Sequence, residues 1–559
     1  MPLMGSLYIG VSGLQTSQNS LNTTAHNISN TDTTGYVRQQ ILHGTATYNT
    51  IQENNRAVAK QQIGLGVVYS KTRQVRDVFL DATYRRESGR SAFYEVSTDA
   101  LSEIEYLLDE MNGESYQESI QDLWTAVQEV AKDPSSAVTQ GLFVERCSEF
   151  LARSQTVYEG LCEYQDSLNQ KVKSIVYDIN NYAQQIKQLN DEIRNIECGG
   201  FEEANDLRDT RNAILDELAK IANISYSEDN DSTVWVQLEG EDLVRGEIAY
   251  KILTYEDPKT GFYKPFWEKN ARFTYDENNN RVYDEVEVEK ARLFDMNRVI
   301  SSELNTDIGS LKSTLIARGD HRSNYTDLKP ENYENSISQS ICMNIQAEFD
   351  QLVHNIATTI NKVLSDAAYE AQAINPSSTY LMHINSDGNL VPIQVFEKIA
   401  SDGYDESGVY IPEDREVNET LYSVTNLQIN AELLQQPTKL GFIRADQSVD
   451  YETMEKLKAA FEAEETSLNP NVKKFSSYTD YYSDLVSQVA NSGAVYKSLL
   501  DSQQQTVEAT SDAREQIIGV SQDEELTFMI KFQNAYNASS RYINVISEML
   551  EHIINTLGH

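Results

Sequence analysis

Apolar side chains recur near the start of the chain at Leu7, Val11, Leu14, Leu21, Ala25 and Ile28, in alternating steps of four and three with Gln18 in the one polar slot. That spacing predicts an amphipathic helix with a heptad seam. Its other faces carry Ser12, Thr16, Ser17, Asn19, Ser20, Asn22, Thr23 and Thr24, short polar side chains that compete for backbone hydrogen bonds and leave the helix marginal alone. Thr31-Asp32-Thr33-Thr34-Gly35 then predicts a stop, because Asp and Thr favour turns and Gly supplies positive φ.

The far end repeats the design. Ser521 with Glu524 reads as a capping box opening a long helix. Leu526, Met529, Tyr536, Ile543, Leu550, Ile554 and Leu557 form one heptad seam, and Phe528, Phe532, Ala535, Tyr542, Ile546, Met549 and Ile553 a second beside it. Two adjacent stripes predict a helix that touches more than one neighbour.

Between the ends, helical periodicity predicts elements over Glu87 to Lys132, Thr139 to Glu197, Asn205 to Ala222, Ser336 to Ala373 and Tyr478 to Ile518, long enough to imply rods rather than a ball. From Ile224 to Glu289 the pattern changes to period two, as in Thr-Val-Trp-Val-Gln-Leu, broken by Asp, Asn, Pro and Gly clusters. The fold class expected is therefore mainly α with inserted β domains: an elongated multi-domain chain whose terminal helices pair as a coiled coil. The divisions expected are a terminal coiled-coil unit (1–50 with 519–559), a long-helix frame (51–223 with 301–374 and 448–518), an inserted β domain (224–300) and a second irregular, partly β insertion (375–447).

Composition sharpens this picture. A chain of 559 residues exceeds what one core supports. Its net charge of −40, from 86 acids and 46 bases, opposes nucleic acid and anionic membranes as partners. No apolar run approaches a membrane span, and the start shows no cleavable signal pattern, so export, if it occurs, is expected without one. Residues 1–50 hold one acid, Asp32, and one base, Arg38; a monomer's exposed helix face would normally carry more charge, which points to packing against copies of itself. Cys147, Cys162, Cys198 and Cys342 are spaced as free, mostly buried thiols rather than a disulfide framework.

Three segments carry a resemblance. Ser6-Leu7-Tyr8-Ile9-Gly10-Val11-Ser12-Gly13-Leu14, continuing through Asn27-Ile28-Ser29-Asn30 to Thr34-Gly35-Tyr36-Val37-Arg38-Gln39, resembles the N-terminal signature of bacterial flagellar rod, hook and hook-associated axial proteins. Gly35-Tyr36-Val37-Arg38-Gln39 looks most like the junction members of the hook-associated group, where rod and hook proteins more often show Gly-Phe-Lys. Asp523-Glu524-Glu525-Leu526 with Lys531-Phe532-Gln533-Asn534-Ala535-Tyr536 is similar to the matching C-terminal signature, and Ala204-Asn205-Asp206-Leu207-Arg208-Asp209-Thr210-Arg211 to an internal segment of the junction proteins.

The resemblance implies an extracellular structural subunit at the distal end of the hook, exported unfolded by a type III apparatus. Its partners would be copies of itself in a ring, the hook protein, the second junction protein and an export chaperone on the C-terminal helix. The two seams would be the assembly interface, and Asn27, Asn30, Gly35, Tyr36 and Arg38 the signature turn. Terminal helices this weak are expected to be disordered in the free chain and to fold on assembly. The alternatives are the hook protein, a flagellin-like third hook-associated protein, or a coiled-coil adhesin.

Catalytic and metal chemistry find little support. Asp276, Asn278, Asn280 and Glu287 match positions of a calcium loop, but Arg281 stands where that loop needs Gly, and strand-like sequence flanks it; a hairpin turn is the expectation. None of the seven histidines pairs with another at i, i+4 or sits at ligand spacing from a cysteine, and no phosphate loop, nucleophile elbow or HExxH occurs. No enzyme, cofactor or metal is expected.

Overall fold

The computed structural model describes the chain except residues 1, 34, 53–60, 109–115, 201, 277, 297, 386, 400–402 and 558–559. Thr34 of the signature turn and Glu277 of the acidic loop therefore lie outside the described residues, as does the side chain of Leu557 in the C-terminal seam.

Helix α1 (Pro2–Ser29) leads through the turn into a hairpin of β1 (Gln39–Thr45), β2 (Asn49–Gln52), β3 (Gln61–Ile63) and β4 (Val67–Gln74). β1 and β4 pair antiparallel from Gln39 opposite Gln74 to Thr45 opposite Val67, with a bulge at Leu42/His43. The sequence pattern assigned no element here, because the apolar positions of β1 alternate over only a few residues.

The frame follows: α2 (Val78–Leu108), α3 (Tyr116–Lys132), α4 (Ala137–Glu197) and α5 (Asn205–Ile221). Over the stretch expected as one helix from Glu87 to Lys132, the described residues form α2 and α3, and α2 starts nine residues earlier than its pattern suggested. At 61 residues, α4 is about 90 Å long, and its boundaries lie within two residues of those expected.

The inserted β region holds a four-stranded antiparallel sheet of β5 (Ile224–Glu228), β6 (Val234–Leu238), β7 (Glu241–Arg245) and β8 (Ile248–Ala249). Two ribbons follow, β9 (Ile252–Glu256) with β10 (Tyr263–Trp267) and β11 (Phe273–Tyr275) with β12 (Arg281–Tyr283), then α6 (Glu285–Lys290). The chain returns to helix in α7 (Ser310–Arg318), the short α8 (Pro330–Asn332) and α9 (Ile341–Ile374). Residues 375–447 hold the ribbons β13 (Met382–Ile384) with β14 (Leu390–Pro392) and β15 (Phe396–Lys398) with β16 (Leu427–Ile429), and α10 (Ala431–Gln435). Helices α11 (Tyr451–Glu462), α12 (Tyr478–Ile518) and α13 (Gln522–Leu557) complete the chain.

Two cores divide α4 between them. Its first half packs Phe143, Phe150 and Leu161 against Leu123 of α3, Phe349 and Leu352 of α9, and Tyr481 and Leu485 of α12. Leu381, Val395, Phe396 and Leu427 from the irregular 375–447 stretch belong to that same core. The second half packs Val172, Ile179 and Ile186 against Leu215 of α5, Val236 and Leu243 of the sheet, and Trp267. Cys147, Cys162 and Cys342 are buried free thiols, whereas Cys198, at the exposed C-terminal end of α4, is a surface one. No helix among the described residues is long and apolar enough to cross a membrane.

Candidate functional site

Helices α1 and α13 run antiparallel against one another, and the residues between them are small. Gly10, Gly13, Ser17, Ser20, Thr24 and Asn27 recur in steps of three and four on one face of α1. A methyl group placed on Gly10 would lie 2.7 Å from Cγ1 of Ile543, and one on Gly13 would lie 2.8 Å from Oγ of Ser539. Ser17 and Ser20 tuck their hydroxyls onto the carbonyls of Gly13 and Thr16 at 2.7 and 2.8 Å. With their polar atoms satisfied inside their own helix, these side chains let the two backbones approach closely.

The apolar seam read from the sequence sits elsewhere. Leu7, Leu14, Leu21 and Ile28 flank this contact half-buried, while Val11 and Ala25 are exposed. On α13, Met529, Tyr536, Ile543 and Leu550 are half-buried, Leu526 and Ile554 are exposed, and Ile546 of the second seam is the most buried apolar side chain of the helix. Small residues win the intrachain contact because they allow the shorter interhelical distance, leaving much of the large apolar surface on the outside.

The hairpin lies along a third side of α1. Gly66, at φ +97°, brings the turn so close to α1 that a Cβ there would fall 2.1 Å from Oγ of Ser12, and that hydroxyl accepts from the Val67 amide at 3.3 Å.

At the root of the pair the three motif segments meet in a polar clasp. Asn27, 1% exposed, is fully used: Nδ2 donates to the Gln39 carbonyl at 2.9 Å and to Oε2 of Glu525 at 3.1 Å, and Oδ1 accepts from the Tyr36 hydroxyl at 2.8 Å and the Gln39 amide at 3.0 Å. Arg38 donates from Nε to Oε1 of Glu525 at 2.8 Å, stands 3.5 Å from Glu524, and lies over the Phe528 ring. Its own amide donates to the Ile518 carbonyl at 2.9 Å, where α12 ends. Ser521 precedes α13, its carbonyl accepting from the Glu525 amide at 3.0 Å.

From the body, Asp209 of α5 accepts from the Val37 amide at 3.2 Å and from Gln74 at 2.7 Å, with Arg76 at 3.7 Å. Burial, with Asp206 nearby, pushes its carboxyl up to about 7, against the pull of Val37 and Arg76. Burial and the neighbouring carboxylates Asp206, Asp209 and Glu525 likewise raise the Tyr36 hydroxyl, which stays a neutral donor to Asn27. His26 packs edge-on against Tyr36 and lies 3.8 Å from Asp206. Gly35, at φ +81°, makes the turn possible, and Asn30 folds back on the His26 carbonyl at 3.0 Å. Just below, Arg514 of α12 joins Asp81 of α2 to Asp216 of α5 at 2.7 and 2.8 Å.

Asn27, Tyr36 and Arg38 were legible in the sequence as a signature, but Glu525, which receives both Asn27 and Arg38, was not singled out, and Asp209 carried no assigned role. The small-residue stripe from Gly10 to Asn27 was the available signal for the helix contact. The acidic loop forms a tight turn in which Asp276 accepts from the amides of Asn278 and Asn280 at 2.9 and 2.7 Å, and Glu287 sits on α6 beside Lys290.

Comparison with known proteins bears on both sides of the clasp. Residues 101–370 match the model of the flagellar hook-associated protein FlgK helical domain, and residues 7–36 that of the flagella basal body rod protein family; together they cover more than half of the chain. Flagellar hook-associated protein 1 of Bacillus subtilis is 23% identical over 99% of both chains, and that of Escherichia coli 22% over 98% of both. Along nearly its whole length the chain is similar to these hook-associated proteins. A solved structure, the flagellar hook junction protein FlgK from Burkholderia pseudomallei, aligns with a TM-score of 0.49 and 11% identity over 78% of this chain and 99% of that one. In this chain the rod-family match covers α1 and the signature turn, and the helical-domain match runs from late α2 to α9. The clasp joins them.

Proposed function

We propose that the chain is a structural subunit of the bacterial flagellum that forms the first junction layer between hook and filament and is required for the filament to be built. One observation carries the reading of how it does so: α1 turns small residues toward α13, while Tyr8, Val11, Val545, Met549 and Ile554 stay exposed, the reverse of a self-sufficient bundle. The terminal unit, 1–50 with 519–559 and extended along the hairpin, is then the inner wall of a tube, the long-helix frame its support, and 224–300 and 375–447 its outer parts. The assembly surface comprises the apolar positions of both seams, from Leu7 to Ile28 and from Leu526 to Leu557.

In this reading the partners are copies of the chain in a ring, the hook protein below, the second junction protein above, and before export a chaperone on α13. The subunit is extracellular and acts by packing, without catalysis. Immuno-gold labelling tests it: label confined to one band at the distal end of the hook is expected, and label along the filament would reject it.

A further inference from the structure

Where the inserted β region joins the frame, a cavity of about 270 Å³ opens between β10, the stretch after α6, and helices α7 and α9. That is close to the roughly 300 Å³ at which small-molecule pockets begin. Three of these parts supply apolar lining, all of it buried: Leu293 and Phe294 from the stretch after α6, Leu315 and Ile316 from α7, and Met343 from α9. The Met343 thioether is held in place. It accepts from the Asp320 amide at 3.2 Å, and Gly319, at φ +78°, passes so close that a Cβ there would fall 2.0 Å from it.

One charged group is built into this apolar lining. Arg318, the last residue of α7, is 3% exposed and lines the cavity. Its acceptors are all neutral: Nε donates to the Gly319 carbonyl at 2.9 Å, and Nη1 donates to Oδ1 of Asn169 at 2.7 Å and to the Tyr263 carbonyl at 2.9 Å. Among the described residues the guanidinium makes no ion pair, and Nη2 no hydrogen bond. Burying a charge is costly unless an opposite charge comes with it, and burial pulls this guanidinium down to about 10, with Asp320 opposing. The Asp320 carboxylate is itself engaged by His321 at 2.6 Å. The other two cations that line the cavity are already matched, Lys264 by Asp257 at 2.8 Å and Arg292 by Asp295 at 3.1 Å. Arg318 is the cation left for a ligand.

Two acids limit what that ligand can be. Glu289 and Asp320 line the cavity with exposed side chains, and their charge opposes a dianion such as phosphate more than a single carboxylate. We propose that this cavity binds a small monocarboxylic acid with an apolar body, its carboxylate on the Arg318 guanidinium and its chain against Leu293, Phe294, Leu315 and Met343. The bound acid supplies the missing countercharge through a charge-assisted hydrogen bond. Because Arg318 also holds the Tyr263 carbonyl of β10, the acid stiffens the joint between the inserted β region and the frame, whatever the chain assembles with.

Calorimetric titration of the purified full chain with octanoate tests it, with 1-octanol as the uncharged counterpart. Octanoate is expected to bind saturably at a single site and about tenfold tighter than 1-octanol, the step that one charge-assisted hydrogen bond contributes. Arg318→Gln is expected to remove that preference. Since Arg318 also ties three elements together, a second variant separates binding from folding: Gln339→Trp fills the cavity from a half-buried position that makes no bond to Arg318. It is expected to weaken octanoate binding at least as much while melting like the wild type. No saturable heat from octanoate at millimolar concentration, equal affinity of the wild type for octanoate and 1-octanol, or octanoate binding unchanged in Gln339→Trp would each overturn the proposal.

Discussion

The body and the terminal pair of this chain are both built of long antiparallel helices, yet they bury opposite kinds of residue. Where α4, α9 and α12 meet, Phe150, Phe349 and Tyr481 are fully enclosed and the rings of Tyr116 and Phe349 lie 5.0 Å apart. In the terminal pair, the enclosed positions of α1 are Gly10, Thr16, Ser17, Ser20, Thr24 and Asn27, while Tyr8, Val545, Met549 and Ile554 are exposed. A large apolar side chain contributes about 1.5–3 kcal/mol when buried, and the terminal pair leaves most of that contribution unrealised in a single chain. Stability is thus complete in the body and conditional on neighbours at the ends.

The sharpest way to break the comparison is to empty the body. Phe349→Ala is expected to lower the unfolding free energy of the purified chain by about 3–5 kcal/mol, seen in urea unfolding, because the site is enclosed by helices that cannot collapse around the cavity. No single truncation in α1 or α13 should approach this.

Next comes the clasp. Arg38→Ala strands the Glu525 carboxylate, 3% exposed, and is expected to cost about 3 kcal/mol in the local opening of α13's first turn. Hydrogen exchange at residues 522–528 reads it; Arg38→Lys, which keeps the charge but loses the contact to Phe528, should restore part.

A smaller effect on the free chain is expected from Val545→Glu. Its melting should stay within about 0.5 kcal/mol of wild type, as for exposed sites generally, while incorporation fails, leaving hooks without filaments and flagellin in the medium. Leu550→Glu should block incorporation too, but because Leu550 is half-buried it should also loosen α1 from α13. A swimming Val545→Glu strain would show that this outer face is not an assembly surface.

The smallest effect is a pH slope. Asp209 has a folded pKa of about 7, above the roughly 3.9 of an unfolded Asp, so its contribution is fully present below about pH 4 and is lost as pH rises through 7. Exchange protection at Val37 and Tyr36 should therefore fall between pH 5 and 8, and Asp209→Asn should flatten that slope.

These contrasts also explain what the sequence disclosed. Long periodic helices such as α4 and α12 were legible because burial on one face repeats over many turns. The hairpin was not, because β1 and β4 owe their pairing to α1 lying beside them, with Gly66 as the one strong local signal. The heptad at Leu7 to Ile28 marked a real helix and a surface expected to meet other copies, while the face that packs on α13 within the chain is a different one, since hydrophobicity identifies surface that prefers burial without saying which partner buries it. The three motifs were visible separately, and only folding shows that they are one site: Asn27 and Arg38 share the carboxylate of Glu525, which lies 498 and 487 residues further along the chain.

The claim that the ends depend on neighbours is tested most directly by hydrogen exchange on the same chain, first free and then in purified flagella. The account predicts strong protection of α2, α4, α9 and α12 in both states, and of residues 6–29 and 529–556 only after assembly. Protection of those two segments in the free chain as strong as that of α4 would contradict it.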